Sequence, residues 1–173
     1  MSIPWPFTKW GIDLIGPLPK ACSQVKYAVV AIEFYTKWVE AKPLAKIIDQ
    51  KVIEFVWKNI FCRFRIPNNI VSDHGAQFDY SKFKNLCDNF GILKTFSTPA
   101  HPQSNGQVEV VNKTIKQTLK KKLSKLKGSW VDELPLVLWS YQTSFRTTTG
   151  ETPFSLSYGV DVVVLIKLTV PTY

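Results

Sequence analysis

Histidine and cysteine are scarce in this chain. Two histidines, His74 and His101, and three cysteines, Cys22, Cys62 and Cys87, are scattered over 173 residues. An odd set of distant cysteines builds no disulfide framework, and so few Cys and His residues leave no zinc site to expect. A reducing, intracellular compartment is the simplest expectation. Long apolar runs are missing as well. None approaches the roughly 18 residues of a membrane span, and no signal peptide is readable at the start. The third shortage is acid: 13 Asp and Glu stand against 22 Lys and Arg, a net charge of +9. What is present is ordinary for a globular protein, with 45% hydrophobic residues in a length that suits one domain, taken as 1–173.

The charge imbalance is concentrated. From Asn105 to Lys127 there are seven lysines and a single acid, Glu109. Such a patch favours a polyanionic partner, although a solvated helix face would look the same by composition.

The pattern of apolar residues implies alternating strands and helices. Residues 8–15, TKWGIDLI, and 27–34, YAVVAIEF, read as strands, the second so continuously apolar that both its faces should be buried. Residues 38–41 should pair back onto it through a turn at 35–37. Apolar positions 48, 52, 53, 56, 57 and 60 have a helical period over 47–61. A short strand at 69–73, a helix at 81–89 stopped by Gly91, and a strand at 92–97 follow. After the polar, Pro-rich loop TPAHPQSNG comes the lysine helix, ending near Lys127–Gly128, then a helix over 130–144. Thr152 as N-cap and Pro153 at the first helical position open a last short helix. The fold class is α/β, in layers.

Two aspartates sit where acids are costly. Asp13 lies between Ile12 and Leu14 in an apolar strand, and Asp73 ends the strand NIVSD before His74-Gly75. A carboxylate in such a place has a cation or a catalytic role, or, for Asp73, caps a turn. Along the lysine helix, Glu109, Lys113, Lys116 and Lys120 fall within roughly 60° of one another. Val108, Val111, Ile115, Leu119, Leu123 and Leu126 form a separate apolar face, centred roughly 115° away. Ser104 and Gln107 have capping-box spacing, which puts Glu109 in the first turn. Alone, Glu109 reads as an i,i+4 partner of Lys113. Together with the two aspartates it also suits divalent metal ions, whose hard charge prefers oxygen ligands, beside a basic rail for phosphates.

These residues resemble a known signature. Asp13 in KWGIDLIGPLP, Asp73 in IVSDHGAQF and Glu109 in HPQSNGQVEVVNKTIK are similar to the D,D-35-E pattern of retroviral-type integrases, with thirty-five residues between the last two. KWVEAKPL and KGSWVDELPLVLWSYQTSFRTTTGETPFSLSYG extend the resemblance over about residues 4–168, and it is nearest to gypsy-type LTR retrotransposon polyproteins of plants. The resemblance implies an RNase H-like fold, a five-stranded mixed β-sheet flanked by α-helices on both faces. It implies strand transfer, in which a 3′-hydroxyl of the element's DNA attacks a target phosphodiester. It further implies that Asp13, Asp73 and Glu109 ligate two Mg²⁺ (or Mn²⁺) ions, and that Lys113 and Lys116 contact the DNA ends. Lys120 continues their rail, and Asn105 matches a polar position of the catalytic loop. A homo-oligomer acting on DNA in the nucleus is the implied setting, although no targeting signal is readable. The zinc module and the C-terminal DNA-binding domain of the family are not expected within this chain. Glu33 stands where the family commonly has aspartate. The rival readings are a non-catalytic nucleic-acid-binding module and an RNase H-type nuclease. The Trp and Phe residues of the late helices are expected in the core.

Overall fold

In the computed structural model, residues 5–72, 81–96 and 106–160 are described, with side chains from residue 112 onward in the last segment. The elements are β1 (Lys9–Ile15), β2 (Tyr27–Glu33), β3 (Val39–Leu44), α1 (Asp49–Phe55), β4 (Asn69–Ser72), α2 (Ser81–Asn89), β5 (Leu93–Phe96), α3 (Gly106–Lys125), α4 (Trp130–Gln142) and α5 (Pro153–Tyr158). The five strands form one mixed sheet in the order β3-β2-β1-β4-β5. β1, β2 and β3 pair antiparallel, while β4 and β5 join parallel to β1.

Alternation along the central strands sends side chains into two cores. Trp10, Ile12, Val29 and Ala31 pack with Val52, Phe55 and Phe83 beneath α1 and α2. Ile15, Ala28, Val30 and Ile32 pack with Ile115, Leu119, Leu123, Trp130 and Leu134 beneath α3 and α4. Helices therefore cover both faces, which is why β2 is buried at every position from Ala28 to Glu33. The apolar stripe expected on α3 faces this second core at Ile115, Leu119 and Leu123.

Several boundaries differ from the sequence reading. β3 runs three residues further, to Leu44, with Pro43 paired to Ala28. Proline is tolerated there because β3 is an edge strand. The helix expected from residue 47 begins at Asp49 and widens to π-helical turns over Val56–Phe61. Ile48 and Trp57 of its apolar series are exposed, whereas Val52, Phe55, Val56 and Ile60 are buried. Thr152 caps α5 as expected, its Oγ1 accepting from the Ser155 amide at 3.0 Å. The late aromatics split: Trp130 is buried and Phe154 packs partly buried against the first core, but Trp139 is 46% exposed, so the core placement fails there. Glu33 is buried, and its extra methylene carries the carboxylate to the amides of Tyr35 (2.9 Å) and Thr36 (2.5 Å), closing the β2–β3 turn. Burial pushes its carboxyl up from the usual range, against the pull of those hydrogen bonds.

Cys22 and Cys62 are exposed and Cys87 is buried. Burial pushes the Cys87 thiol up to about 11, so little reactive thiolate forms there. A maleimide or disulfide reagent at neutral pH should modify two thiols in the native protein and three after denaturation. Rapid native labelling of all three would contradict this placement.

Candidate active site and nucleic-acid interface

Asp13 lies on the α3 side of the sheet, sharing a face of β1 with Gly11 and Ile15. Its charge is met by α3: Lys116 Nζ donates to Asp13 Oδ2, and Asp13 Oδ1 accepts from the Leu14 amide at 2.7 Å. The two side chains keep 29% (Lys116) and 28% (Asp13) of their exposure, so the pair is reachable from solvent. In the structure the cation beside this acid in an apolar strand is a lysine from the basic helix.

α3 runs along β1 in the same direction. Asn112 lies against Gly11, Lys116 meets Asp13, and Leu119 and Leu123 share a core with Ile15 and Leu18. One helical turn rises ~5.4 Å and two strand residues ~6.6 Å, so successive turns stay level with alternate strand residues. Gly11 permits the close approach: a Cβ there would come within 3.1 Å of Phe34 and 3.6 Å of the Asn112 amide. Lys113 and Lys120 are exposed, as are Lys121, Lys122, Lys125 and Lys127 further along. A basic strip therefore leads away from Asp13.

β4 ends at Ser72, which pairs with Ile12, the neighbour of Asp13. Asp73 follows Ser72 in the chain and, like Asn105, lies outside the described residues. Glu109 belongs to the first turn of α3 by its backbone, and its side chain lies outside the described ones. Of the expected site, the structure brings together Asp13, Lys116 and the lysine strip. Among the described residues no three His, Cys, Asp or Glu side chains cluster.

One residue escaped the sequence reading. Both polar atoms of the Asn112 side chain are buried without a hydrogen-bond partner among the described residues. Such burial is costly, and it sits one turn from Lys116 on the face toward β1. In sequence it reads as an ordinary polar helix position. The local chemistry suits a hard cation: Asp13 offers carboxylate oxygens that already attract an ammonium, and Asn112 adds a buried amide oxygen nearby.

Comparison with known proteins agrees with this geometry. Residues 4–102 match the family model described as integrase core domain. The Pro-Pol polyprotein of Simian foamy virus type 3 is 35% identical over 156 residues, 90% of this chain. The chain spans only 13% of that polyprotein. Among solved structures, the catalytic core domain of BIV integrase superposes with a TM-score of 0.62 at 26% identity, covering 87% of this chain and 93% of that one. The HTLV-2 integrase catalytic core domain, solved in complex with magnesium in a trimeric form, gives 0.64 at 19% identity, covering 88% and 97%. The sheet order, the helices on both faces and these matches converge: the chain belongs to the integrase core domain family and has its RNase H-like fold.

Proposed function

We propose that this chain is the catalytic core of a polynucleotidyl transferase that joins the 3′-ends of a retroelement's DNA to target DNA. The observation that carries the reading is Asp13, an acid on a central strand, 28% exposed and paired with Lys116 on a lysine-lined helix. Asp13, Asp73 and Glu109 would hold two Mg²⁺ or Mn²⁺ ions. Bound there, such ions supply activation of the attacking hydroxyl and charge stabilisation of the leaving oxygen in an in-line displacement. In that reaction a new bond joins the 3′-oxygen to the target phosphorus, and the target's own 3′-oxygen departs.

The chain's side chains handle binding and orientation. Lys113 and Lys120 are exposed donors for phosphate oxygens. Lys116 holds Asp13 in the free protein; with DNA bound, its ammonium would turn to a phosphate, and Asp13 would be one of the residues that hold the cation. Asn105 contributes a polar contact from the loop before α3. The protein acts as a homo-oligomer in the nucleus, within a polyprotein of the gypsy-type LTR retrotransposon kind. That last assignment rests on the runs KWVEAKPL and KGSWVDELPLVLWSYQTSF.

One observation favours a second reading, a DNA-binding module without chemistry: Asp13 is already neutralised by Lys116. Incubation with an oligonucleotide duplex bearing a recessed 3′-end separates the two. Joining that requires Mg²⁺ or Mn²⁺ and stops with EDTA is the outcome predicted for the enzyme. Salt-dependent DNA binding with no joining under either metal supports the module instead.

A further inference from the structure

A second basic feature lies outside the strip on α3. A cleft of about 400 Å³ is lined by Lys20, Gln24, Lys26, Tyr27, Ala45, Lys46 and Ile47. It sits at the end of the sheet toward which β1 runs beyond Asp13. Lys20 and Gln24 come from the β1–β2 loop, Lys26 and Tyr27 from the start of β2, and Lys46 from the segment after β3. Gly16 allows the loop to close tightly here. Its φ is +151°, and a Cβ would fall 2.4 Å from the Tyr27 ring.

The three lysines carry no compensating charge: no acid lines the cleft, and none pairs with them among the described residues. Elsewhere the protein does compensate. Lys42, Lys51 and Lys58 gather around Glu54 at 3.6, 3.2 and 2.9 Å, and hydrogen bonds from Lys58 and Lys51 help hold that carboxyl down at about 2. Three lysines around one cleft, the Lys26 ammonium lying over the Tyr27 ring at 5.4 Å from its centroid, repel one another unless an anion sits among them.

The cleft is tied to the end of α3. Trp130 Nε1 donates to the Pro19 carbonyl at 2.8 Å, and the Lys20 carbonyl lies 3.4 Å from where a Cβ on Gly128 would stand. Lys127 precedes Gly128, so the lysines of α3 hand over directly to Lys20. From Lys116 to Lys127 the helix path rises ~16 Å, roughly five nucleotides of a B-form strand. We infer that this cleft is a phosphate site for the same DNA whose reacting end lies at Asp13, gripping a backbone phosphate several nucleotides from the chemistry. The inference rests on the DNA reading above and adds a contact to it.

The test measures binding of a fluorescent DNA duplex against KCl concentration for three proteins. They are the wild-type chain, the cleft variant Lys20→Gln/Lys26→Gln/Lys46→Gln, and a control, Lys42→Gln/Lys51→Gln/Lys58→Gln, that removes the same charge elsewhere. Each phosphate contact contributes about 0.9 to the slope of log affinity against log salt. The cleft variant should lose about 1 from that slope and bind roughly tenfold more weakly at 0.1 M salt, while the control changes far less. Equal behaviour of the cleft variant and the control overturns the inference while leaving the DNA reading intact. A wild-type chain that binds no DNA at low salt overturns both. If the triple variant melts early, Lys20→Gln and Lys46→Gln, both at exposed positions, give the same answer singly, each through a smaller fall in slope than the triple variant and a larger one than Lys42→Gln.

Discussion

Asp13→Asn should lower strand transfer roughly a thousandfold or more, the scale seen when a group that stabilises transition-state charge is removed. DNA affinity should stay at the wild-type level or rise. Asparagine keeps the size of the side chain, and its oxygen can still accept from the Leu14 amide, which Asp13 Oδ1 holds at 2.7 Å. The fold therefore has little reason to change. What disappears is the negative charge that a divalent cation needs and that now binds Lys116. The freed ammonium joins the exposed Lys113 and Lys120 and adds to the attraction for phosphates. Activity and affinity thus move in opposite directions, which a general loss of folding cannot mimic. Joining within a few-fold of wild type, measured on identical DNA, would remove Asp13 from the mechanism.

The largest stability effect should come from Glu40→Ala, a loss of about 2–3 kcal/mol, read as a lower urea midpoint with unchanged slope. The Glu40 carboxylate is buried on β3 and accepts from Arg63 Nη1 at 2.7 Å to each oxygen, from Trp38 Nε1 at 2.8 Å and from Asn59 at 3.2 Å. It fastens the edge strand to the π-helical segment that carries Asn59. Truncation leaves the buried Trp38 indole N–H without this acceptor and deprives Arg63 of its counter-charge. Arg63 is 46% exposed and regains water, so the loss falls below that of a fully buried pair. A change under 0.5 kcal/mol would show that packing of α1, not this network, holds β3.

Much of the architecture was readable because burial on two faces leaves a blunt mark. The unbroken apolar run of β2 announced a strand between two layers, and the 115-119-123 stripe of α3 announced which side meets the sheet. Where reading failed, a local rule yielded to tertiary context. The reading stopped β3 at residue 41, but an edge strand has no need of every amide and carries on through Pro43 to Leu44. Trp57 sat in a helical apolar series, yet the start at Asp49 and the wider turns after Phe55 put it at the surface. At the site, Asp13 stood out as an acid among apolar neighbours. Its partner did not, because helical angles group Lys116 with the outward rail and cannot show that a flexible side chain folds back to the strand. Asn112 was silent for a similar reason: only the close approach at Gly11 turns a surface-like amide into a buried one. The cleft of Lys20, Lys26 and Lys46 joins three separate segments, and no periodicity links them.

The central claim is that Asp13, Asp73 and Glu109 form one metal-dependent catalytic centre. The direct measurement is resolution of a branched DNA substrate, the reverse of strand transfer, by wild-type and Glu109→Gln proteins in Mn²⁺ or Mg²⁺. Glu109→Gln keeps the shape of the side chain and removes only its charge. Metal-dependent resolution by the wild-type chain, with none by the well-folded glutamine variant, is the predicted result. Equal activity in the two proteins, or activity undiminished by EDTA, contradicts it.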